Sequence, residues 1–289
     1  MRFKKPIILL IVALLVIPAS DSAAYLKMEQ IANVFTELTK DKTLGNPSMI
    51  LLDVNSGETI FSRDANSFRK PASVLKLLSA FAALEFLPAD RTFKTHIYKT
   101  DLSNTFQIVG DFDPSITPSL KLAKNLKFVW SDNLVNQIRK VAKSRTLKIR
   151  YYGLTFRTKT NMNNYFRQVG YRITWVPISE RESTFHVADQ IYSATSPNLA
   201  EILHYTLLFS DNWVADYLAK SAAASAGYGY SNLGISMVFN DVLARYEINR
   251  AKVNAFDGSG LSHENRISTE TLAQVLLKMI NNPKFAPAI

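Results

Sequence analysis

The run from Val74 to Leu87 constrains this chain most, because it predicts a helix without a wide solvent-exposed face. Its fourteen residues read VLKLLSAFAALEFL, and only Lys76, Ser79 and Glu85 among them are polar. A helix that is apolar around its whole circumference is normally buried. We therefore expect this helix to be buried, and the ammonium group of Lys76 to be costly there.

Ser73 and Lys76 place a hydroxyl and an amine three residues apart at the start of this helix. Side chains at that spacing are neighbours across one helical turn. Burial disfavours charged lysine and lowers its pKa, so a neutral Lys76 would accept the proton of Ser73 Oγ and activate it as a nucleophile. The motif alone leaves a second interpretation open, in which Ser73 only caps the helix and the Lys76 amine reaches water.

A second Ser-x-x-Lys pattern, from Ser67 to Lys70, precedes the first. Lys70 comes directly before Pro71, which biases Lys70 towards extended backbone, and its surroundings are polar. Nothing in that segment predicts a buried or activated amine. Ser73 and Lys76 are therefore the candidates for catalysis.

The N-terminus has the features of a leader. Basic residues precede an unbroken apolar run from Ile7 to Ile17, and small residues follow Pro18. This order is typical of a secretory signal peptide, and the run is short for a membrane span. We predict that residues 1–24 are the signal peptide, cut after Ala24, and that the protein is exported to the periplasm. An uncleaved anchor is the alternative.

The composition excludes several kinds of chemistry. The chain has no cysteine, so it carries neither a thiolate nucleophile nor a cysteine zinc site. Its four histidines form no His-Glu-x-x-His motif and no close pair. We therefore predict no metal site and no cofactor.

The chain is basic, with a formal charge of +10, of which the leader supplies +2. The predicted mature chain carries about +8, which favours anionic partners. Because exported proteins rarely meet nucleic acid, we expect no nucleic acid as a partner and association with an anionic envelope surface instead. A solvated basic face is the alternative.

Hydrophobic periodicity divides the rest of the chain into segments. Residues 25–40 predict an amphipathic helix, residues 48–54 and 59–62 predict a β-hairpin, and residues 91–99 predict a half-buried strand. From residue 101 basic and aromatic residues intermix, and helical periodicity returns near Leu199. The predicted organisation is a signal peptide at 1–24, the first part of the main domain at 25–100, an inserted domain at 101–187, and the second part of the main domain at 188–289.

Ser210, Asp211 and Asn212 lie between two strongly apolar helical segments. Acyl transfer by a serine-lysine pair needs a second polar group to relay a proton to the leaving amine, and an amide to hold the substrate. The pattern Ser-x-Asn supplies both. The same pattern begins at Ser131 and at Ser196, but Ser131 opens a predicted helix and Ser196 precedes a proline. A buried cap at Ser210 is the competing interpretation.

Four pieces of the sequence, taken in order, resemble the motifs of D-alanyl-D-alanine carboxypeptidase/endopeptidases of the penicillin-binding protein 4 type, serine peptidase family S13. The pieces are Pro71-Ala72-Ser73-Val74-Leu75-Lys76-Leu77, the looser Gly110-Asp111-Phe112-Asp113-Pro114-Ser115-Ile116-Thr117, Leu199 to Leu203 leading to Ser210-Asp211-Asn212, and Asp257-Gly258-Ser259-Gly260-Leu261-Ser262. The last piece is unusual, and the shared order covers nearly all of the predicted mature chain.

The resemblance implies an α/β (α+β) architecture, namely the transpeptidase fold of penicillin-binding proteins and β-lactamases with an inserted domain. It also implies an acyl-enzyme mechanism in cell-wall remodelling. The bonds cleaved would be the D-Ala-D-Ala or D-Ala-diaminopimelate bonds of peptidoglycan stem peptides, and β-lactam antibiotics would bind the same site.

The resemblance assigns a role to each matching residue. Ser73 is the nucleophile, Lys76 is its base, and Ser210 passes a proton towards the departing amine. Asn212 binds the peptide amide or carbonyl on the acyl side of the substrate.

Asp257, Gly258 and Ser259 are expected to shape the substrate-binding site beside these residues. A tight turn around Ser259, with no further role, is the alternative, because glycines flank it.

One family motif does not occur in these 289 residues. This is Lys-Thr-Gly, which supplies a cation and a hydroxyl for the substrate carboxylate and helps to build the oxyanion hole. In the family it lies beyond the Asp-Gly-Ser-Gly segment, so we expect the chain to be truncated at Ile289, with C-terminal core strands missing. Residues 25–289 alone are then expected to fold incompletely and to release no D-Ala.

Two other functions compete with a serine-type D-Ala-D-Ala carboxypeptidase. The missing Lys-Thr-Gly favours a non-catalytic peptidoglycan-binding relative. A secreted serine β-lactamase would share the serine-lysine chemistry, but the long insertion and the Asp-Gly-Ser-Gly segment argue against it.

Overall fold

The computed structural model describes residues 27–286, so the predicted signal peptide lies outside the described residues. The helices are α1 (Met28–Leu38), α2 (Lys76–Phe86), α3 (Leu120–Leu126), α4 (Ser131–Val141), α5 (Phe156–Gln168), α6 (Leu199–Phe209), α7 (Asn212–Ser225), α8 (Asn232–Arg245) and α9 (Thr269–Asn281). The strands are β1 (Met49–Leu52), β2 (Thr59–Arg63), β3 (Phe68–Arg69), β4 (Lys94–Thr100), β5 (Thr105–Gly110), β6 (Thr146–Tyr152), β7 (Arg172–Pro177), β8 (Val187–Thr195), β9 (Val253–Asn254) and β10 (Arg266–Ser268). Between residues 27 and 286, no helix combines the length and apolarity that crossing a bilayer requires.

The chain divides into a first unit that ends at Asn46 and a second unit that begins at Pro47. The first unit contains α1, which confirms the helix predicted for residues 25–40. Gln30 Oε1 accepts the backbone N–H of Lys27 at 2.9 Å, which satisfies a donor that the start of α1 leaves unpaired.

Helix α2 lies at the centre of the main hydrophobic core of the second unit. Eight of its eleven residues are buried, Lys76 and Ser79 among them. Phe81 packs on the rings of Tyr246 and Phe285 at centroid distances of 4.9 and 4.6 Å. This confirms the expectation that an all-round apolar helix is buried.

A five-stranded sheet with the order β7-β6-β5-β4-β8 carries a separate hydrophobic core. Strands β5, β6 and β7 are parallel, whereas β4 is antiparallel to both β5 and β8. The buried faces of α4 and α5, through Ile138 and Phe166, share this core with Ile108 and Ile149. The sheet runs from residue 94 to 195, so it includes strands on both sides of the predicted inserted domain. The domain boundaries at 101 and 187 stay predictions.

The predicted hairpin is present as β1 and β2, which pair antiparallel from Met49 opposite Arg63. Helix α9 contacts its turn, where Asn281 Nδ2 donates to the Val54 carbonyl at 2.7 Å. Among residues 47–286, β1 and β2 pair only with each other. The short strands β3, β10 and β9 form a third sheet, in which β10 is central.

Gly153 closes the end of β6 over the end of β5. Its φ is +70°, and a Cβ at this position would lie 1.5 Å from the Gly110 carbonyl oxygen. Its own carbonyl accepts the Phe112 N–H at 2.7 Å, which fixes the backbone after β5.

Gly153→Ala is therefore expected to lower the free energy of unfolding by roughly 3 kcal/mol, since backbone must shift to admit the methyl group. Gly227 is a matched control, because its φ is +87° but a Cβ added there would have no neighbour within 4 Å. Gly227→Ala should cost only about 1 kcal/mol. Denaturant unfolding of both variants measures the difference, and equal losses would contradict the predicted clash.

Candidate active site

Ser73 lies in a single 3-10 turn, Ala72–Leu75, that leads directly into α2. Its side chain is exposed, whereas Lys76 begins the buried α-helix. In 3-10 geometry the side chains at i and i+3 eclipse each other. The turn therefore places the Ser73 hydroxyl directly over the Lys76 amine, although the sequence predicted Ser73 in the first turn of the helix itself.

Lys76 is 2% exposed, and its amine has two partners. Nζ donates to Ser73 Oγ at 3.0 Å and to the Ser259 carbonyl oxygen at 2.9 Å. Burial lowers the pKa of Lys76 below its ordinary value of 10.5, and the negative charges of Asp257 and Asp211 partly oppose that effect. A lysine with a lowered pKa is suited to accept a proton.

Ser210 reaches the same hydroxyl from the other side. It ends α6 in the left-handed conformation, with φ of +55°, and its Oγ donates to Ser73 Oγ at 2.9 Å. The three side chains thus form a continuous chain, Lys76 to Ser73 to Ser210. The neighbouring Asp211 caps α7 by accepting the Val214 N–H at 3.0 Å.

Asn212 is the first residue of α7 and is partly exposed. Among the described residues its side-chain amide has no hydrogen-bond partner, which leaves both its donor and its acceptor available. It follows Ser210 by two residues, so the turn between α6 and α7 presents a hydroxyl and a free amide in one place.

The loop from Asp257 to Ser262 packs behind Lys76. Burial would raise the pKa of Asp257, but N–H donation from Ser262, Ser259 and Gly260 outweighs it and holds that pKa below its usual range. The three N–H groups lie 2.6 to 2.7 Å from the carboxylate oxygens. Such a carboxylate stays ionised and fixes the shape of the loop.

Two further contacts join this loop to the helices. Ser79 Oγ, one turn after Lys76, donates to the Gly258 carbonyl. Asp216 Oδ1, on α7, accepts the Gly258 N–H at 3.0 Å. A Cβ at Gly260 would lie 1.7 Å from the Ala72 carbonyl oxygen, so the Gly260 backbone packs directly against the turn that contains Ser73.

The structure thus brings Ser73, Lys76 and Ser210 into direct contact and places Asn212 beside them. Ser259 is 3% exposed, its hydroxyl donates to Asp257 at 3.0 Å, and its carbonyl holds Lys76. The predicted substrate-binding role of Asp257, Gly258 and Ser259 stays a prediction.

Sequence reasoning missed Asp216 and Ser79 as supports of the site. Ser79 carried a signal, because it is one of three polar residues in an otherwise apolar helix. The discounted pair behaves differently: Ser67 and Lys70 are both exposed and make no hydrogen bond to each other within the described residues.

The sequence model of the D-Ala-D-Ala carboxypeptidase 3 (S13) family matches residues 30–144 and 142–289. A curated relative, the D-alanyl-D-alanine carboxypeptidase of Actinomadura sp. (strain R39), is 33% identical over 82 residues. That match covers 28% of this chain and 15% of the relative, so it spans only a small part of the relative's length.

Solved structures share the fold at low sequence identity. Penicillin binding protein 4 (dacB) from Haemophilus influenzae is 13% identical, with a TM-score of 0.63 over 87% of this chain and 79% of that one. The same protein complexed with a novel β-lactam is 16% identical, with a TM-score of 0.61 over 86% of this chain and 77% of that one. The predatory peptidoglycan endopeptidase Bd3459 from Bdellovibrio bacteriovorus is 16% identical, with a TM-score of 0.52 over 80% of this chain and 68% of that one. The predicted penicillin-binding-protein fold is confirmed.

Proposed function

This chain belongs to the D-Ala-D-Ala carboxypeptidase 3 (S13) family, and on that premise we propose that it cleaves the D-Ala-D-Ala or D-Ala-diaminopimelate bonds of peptidoglycan stem peptides. The observation that carries the proposal is the chain of hydrogen bonds from Lys76 through Ser73 to Ser210, at 3.0 and 2.9 Å. It joins a base, a nucleophile and a proton relay in the order that acyl transfer needs.

In the first step, neutral Lys76 takes the proton of Ser73 Oγ. The oxygen attacks the carbonyl carbon of the penultimate D-Ala, and the peptide C–N bond breaks as the Oγ–C ester forms. The proton moves from Lys76 through the Ser210 hydroxyl to the leaving amine, so no charge is left on the departing D-alanine nitrogen. Water then attacks the ester, and its proton returns through Lys76 to release Ser73.

Asn212 is proposed to hold the acyl side of the substrate. Its side-chain amide offers a donor and an acceptor, which match the carbonyl and the N–H of one peptide unit. Asn212 is the first residue of α7 and follows Ser210 by two residues, which supports a peptide held near the Ser210 hydroxyl.

The loop from Asp257 to Ser262 is proposed to position Lys76. Its Ser259 carbonyl lies 2.9 Å from Nζ, so the amine has a fixed second partner besides Ser73. Asp257 contributes by shaping the loop and by its charge, which opposes the fall in the pKa of Lys76.

Asp257→Asn should move the acid limb of penicillin acylation, on which the rate rises as Lys76 loses its proton, to lower pH. Burial remains, but the charge that raises the pKa of Lys76 is removed, so the amine becomes neutral at a lower pH. The rate constant of acylation, followed against pH, reports this limb. Asp241→Asn, which removes a carboxylate paired with Arg245, should leave the limb in place. A shift to higher pH in Asp257→Asn would contradict the assignment of Lys76 as the base.

Release of D-Ala from a stem pentapeptide, and its loss after penicillin labelling, tests the proposed activity. The longest form of the protein that its gene encodes should release D-Ala, and one equivalent of bound penicillin should stop the release. Release that continues after complete labelling would contradict an acyl-enzyme at this site.

The absence of Lys-Thr-Gly from these 289 residues favours a second candidate, a non-catalytic protein that binds peptidoglycan. Such a protein would bind stem peptides without releasing D-Ala and without retaining penicillin covalently. A β-lactamase would instead release hydrolysed penicillin rapidly. The same two measurements therefore separate the three functions.

Export to the periplasm through the leader at residues 1–24 is part of the proposal. The order of that segment, in which basic residues precede an apolar run, supports export. Membership of a family whose substrate lies outside the cytoplasm supports it too.

An anionic envelope surface is the proposed second partner. Residues 120–175 contain thirteen lysines and arginines and a single carboxylate, Asp132. Among the described residues, only Arg157 of these thirteen cations has a carboxylate within 4.0 Å, that of Asp211. Lys148 and Arg172 are exposed on the two neighbouring strands β6 and β7. Charge of one sign concentrated in this way favours binding to an anionic surface.

Vesicles that contain anionic phospholipid should sediment the protein at low salt and release it as salt rises, because the attraction is screened. The paired variant Lys148→Glu, Arg172→Glu should bind more weakly by roughly thirty-fold, since each basic residue near an anionic surface contributes about 1 kcal/mol. The pair Lys42→Glu, Lys70→Glu, outside this region, should bind much as wild type. Equal weakening in both pairs would show that only net charge matters.

A further inference from the structure

A cavity of about 670 Å³ lies along α7, and none of Ser73, Lys76 and Ser210 lines it. Side chains of α7 from Trp213 to Ser225 form one wall, and residues 111–112 and 154–156 face them. Its volume is typical of sites that hold a small ligand. No step of the proposed reaction uses it.

The rim of the cavity is formed by aromatic side chains that are unusually exposed. Phe156 is 79% exposed, Tyr230 is 54% exposed and Phe112 is 43% exposed. Large apolar side chains that converge on a concave surface generally mark a binding site. Their flat faces suit a ligand that has flat apolar faces of its own.

The wall behind this rim is rigid. The Trp213 and Tyr217 rings stack with centroids 5.2 Å apart, and Arg157 lies over the Trp213 ring at 5.0 Å. The Tyr217 hydroxyl donates to the Phe112 carbonyl at 2.7 Å, which ties α7 to the opposite wall. A wall fixed in this way is preorganised, so little ordering is needed when a ligand binds.

Charged groups of both signs lie among the aromatic ones. Asp216 and Lys220 form an ion pair at 2.8 Å on α7, and Asp111 is exposed on the opposite wall. A purely apolar ligand such as a fatty acyl chain would have to desolvate these groups without pairing them. A pyranose ring offers C–H faces to the aromatic side chains and hydroxyl groups to the charged ones.

From this composition we propose that the cavity is a binding site for N-acetylated amino sugars of the peptidoglycan glycan strand. This inference rests on the proposed function, which brings such sugars to the protein as the part of the substrate that carries the stem peptide. The acetamido group of the sugar would be held by the polar groups of α7, and its ring faces by Tyr230, Phe112 and Phe156.

The dimensions of the substrate agree with this placement. Asn212, proposed to hold the acyl side of the peptide, begins the helix that forms the cavity wall. Four extended residues between the cleaved bond and the sugar span about 14 Å. The wall from Trp213 to Ser225 is twelve helical steps, about 18 Å long. A stem peptide that leaves Asn212 along α7 would therefore end within the cavity.

Titration of the protein with chitotetraose, an N-acetylglucosamine tetramer, tests the site without requiring catalysis. The chain has three tryptophans, and only Trp213 lines the cavity. The indole N–H resonance of Trp213 should move saturably in NMR spectra, while those of Trp130 and Trp175 stay in place. Trp213→Phe assigns the resonance. Cellotetraose, which lacks the acetamido groups, should bind at least ten-fold more weakly.

Tyr230→Ala and Phe156→Ala should each weaken chitotetraose binding about ten-fold, since each removes an exposed ring at the rim. Phe185→Ala is the matched control, because Phe185 is 47% exposed and lies outside the cavity lining. It should change the dissociation constant less than two-fold. The three variants should melt at the temperature of the wild type, because these side chains are exposed.

No saturable shift at Trp213, equal weakening in Phe185→Ala, or binding of laurate at Trp213 in place of the oligosaccharide would overturn the proposal. Release of D-Ala from a free pentapeptide is measured separately. Release of D-Ala without oligosaccharide binding would contradict the proposed sugar site and support the proposed function. Oligosaccharide binding without D-Ala release or penicillin labelling would support the sugar site and contradict the proposed function.

Discussion

Ser73→Ala is expected to abolish covalent labelling by penicillin and to lower the rate of D-Ala release by roughly 10⁶-fold. The reason is that Ser73 Oγ contacts both the Lys76 amine, at 3.0 Å, and the Ser210 hydroxyl, at 2.9 Å. Without it no ester can form, and the remaining groups contribute only binding and orientation. Stopped assays with a stem pentapeptide measure the release, and gel fluorescence with labelled penicillin measures the acyl-enzyme.

Ser67→Ala is the matched control for that experiment, because Ser67 begins the other Ser-x-x-Lys pattern and is exposed. It should label and release D-Ala as the wild type does. Normal labelling of Ser73→Ala, with loss in Ser67→Ala, would reverse the assignment of the nucleophile.

Lys76→Arg should slow acylation by on the order of 10³-fold while the protein stays folded. Lys76 is 2% exposed and burial lowers its pKa, so the amine can lose its proton and act as a base. Arginine keeps the positive charge but does not deprotonate in proteins. The rate constant of penicillin acylation and a thermal melting curve separate loss of the base from loss of the fold.

Lys70→Arg provides the comparison, since Lys70 is exposed and makes no contact with a serine hydroxyl in the described residues. It should leave acylation unchanged. If Lys76→Arg were acylated at a nearly normal rate, Lys76 would serve only as a fixed charge and another residue would have to be the base.

The sequence predicted the elements whose signal is local. A helical run with only three polar residues indicated the burial of α2, and a turn between two strand-like segments indicated the β1–β2 hairpin. Alternation indicated the inward face of the strand predicted at residues 91–99, where Phe93, Thr95 and Ile97 are buried. Each of these signals lies within about fifteen residues, so no distant contact had to be known.

Elements defined by distant partners could not be predicted in this way. Arg69 of β3 pairs with Ile267 of β10, and neither strand is more than three residues long. Helix α5 has few apolar residues that would reveal it, because only two of its three buried residues, Met162 and Phe166, are apolar. Such elements form because the rest of the fold provides their partners.

The candidate site also combines local contacts, which the sequence predicted, with a contact between distant residues, which it did not. The three-residue spacing of Ser73 and Lys76 predicted their contact, and the interruption between two helices singled out Ser210. The Ser259 carbonyl reaches Lys76 across 183 residues, through its backbone rather than its side chain. A residue that acts through its carbonyl leaves no trace in its own side-chain type, and the sequence therefore pointed to the loop without showing what it contacts.

Mapping of the penicillin-labelled protein tests the central claim most directly. The longest form that the gene encodes is labelled, digested and analysed by mass spectrometry for the peptide that carries the penicilloyl group. We predict a single labelled peptide with the ester on Ser73. Label on Ser67 or Ser259, or on no serine in a form that contains Lys-Thr-Gly, would contradict it.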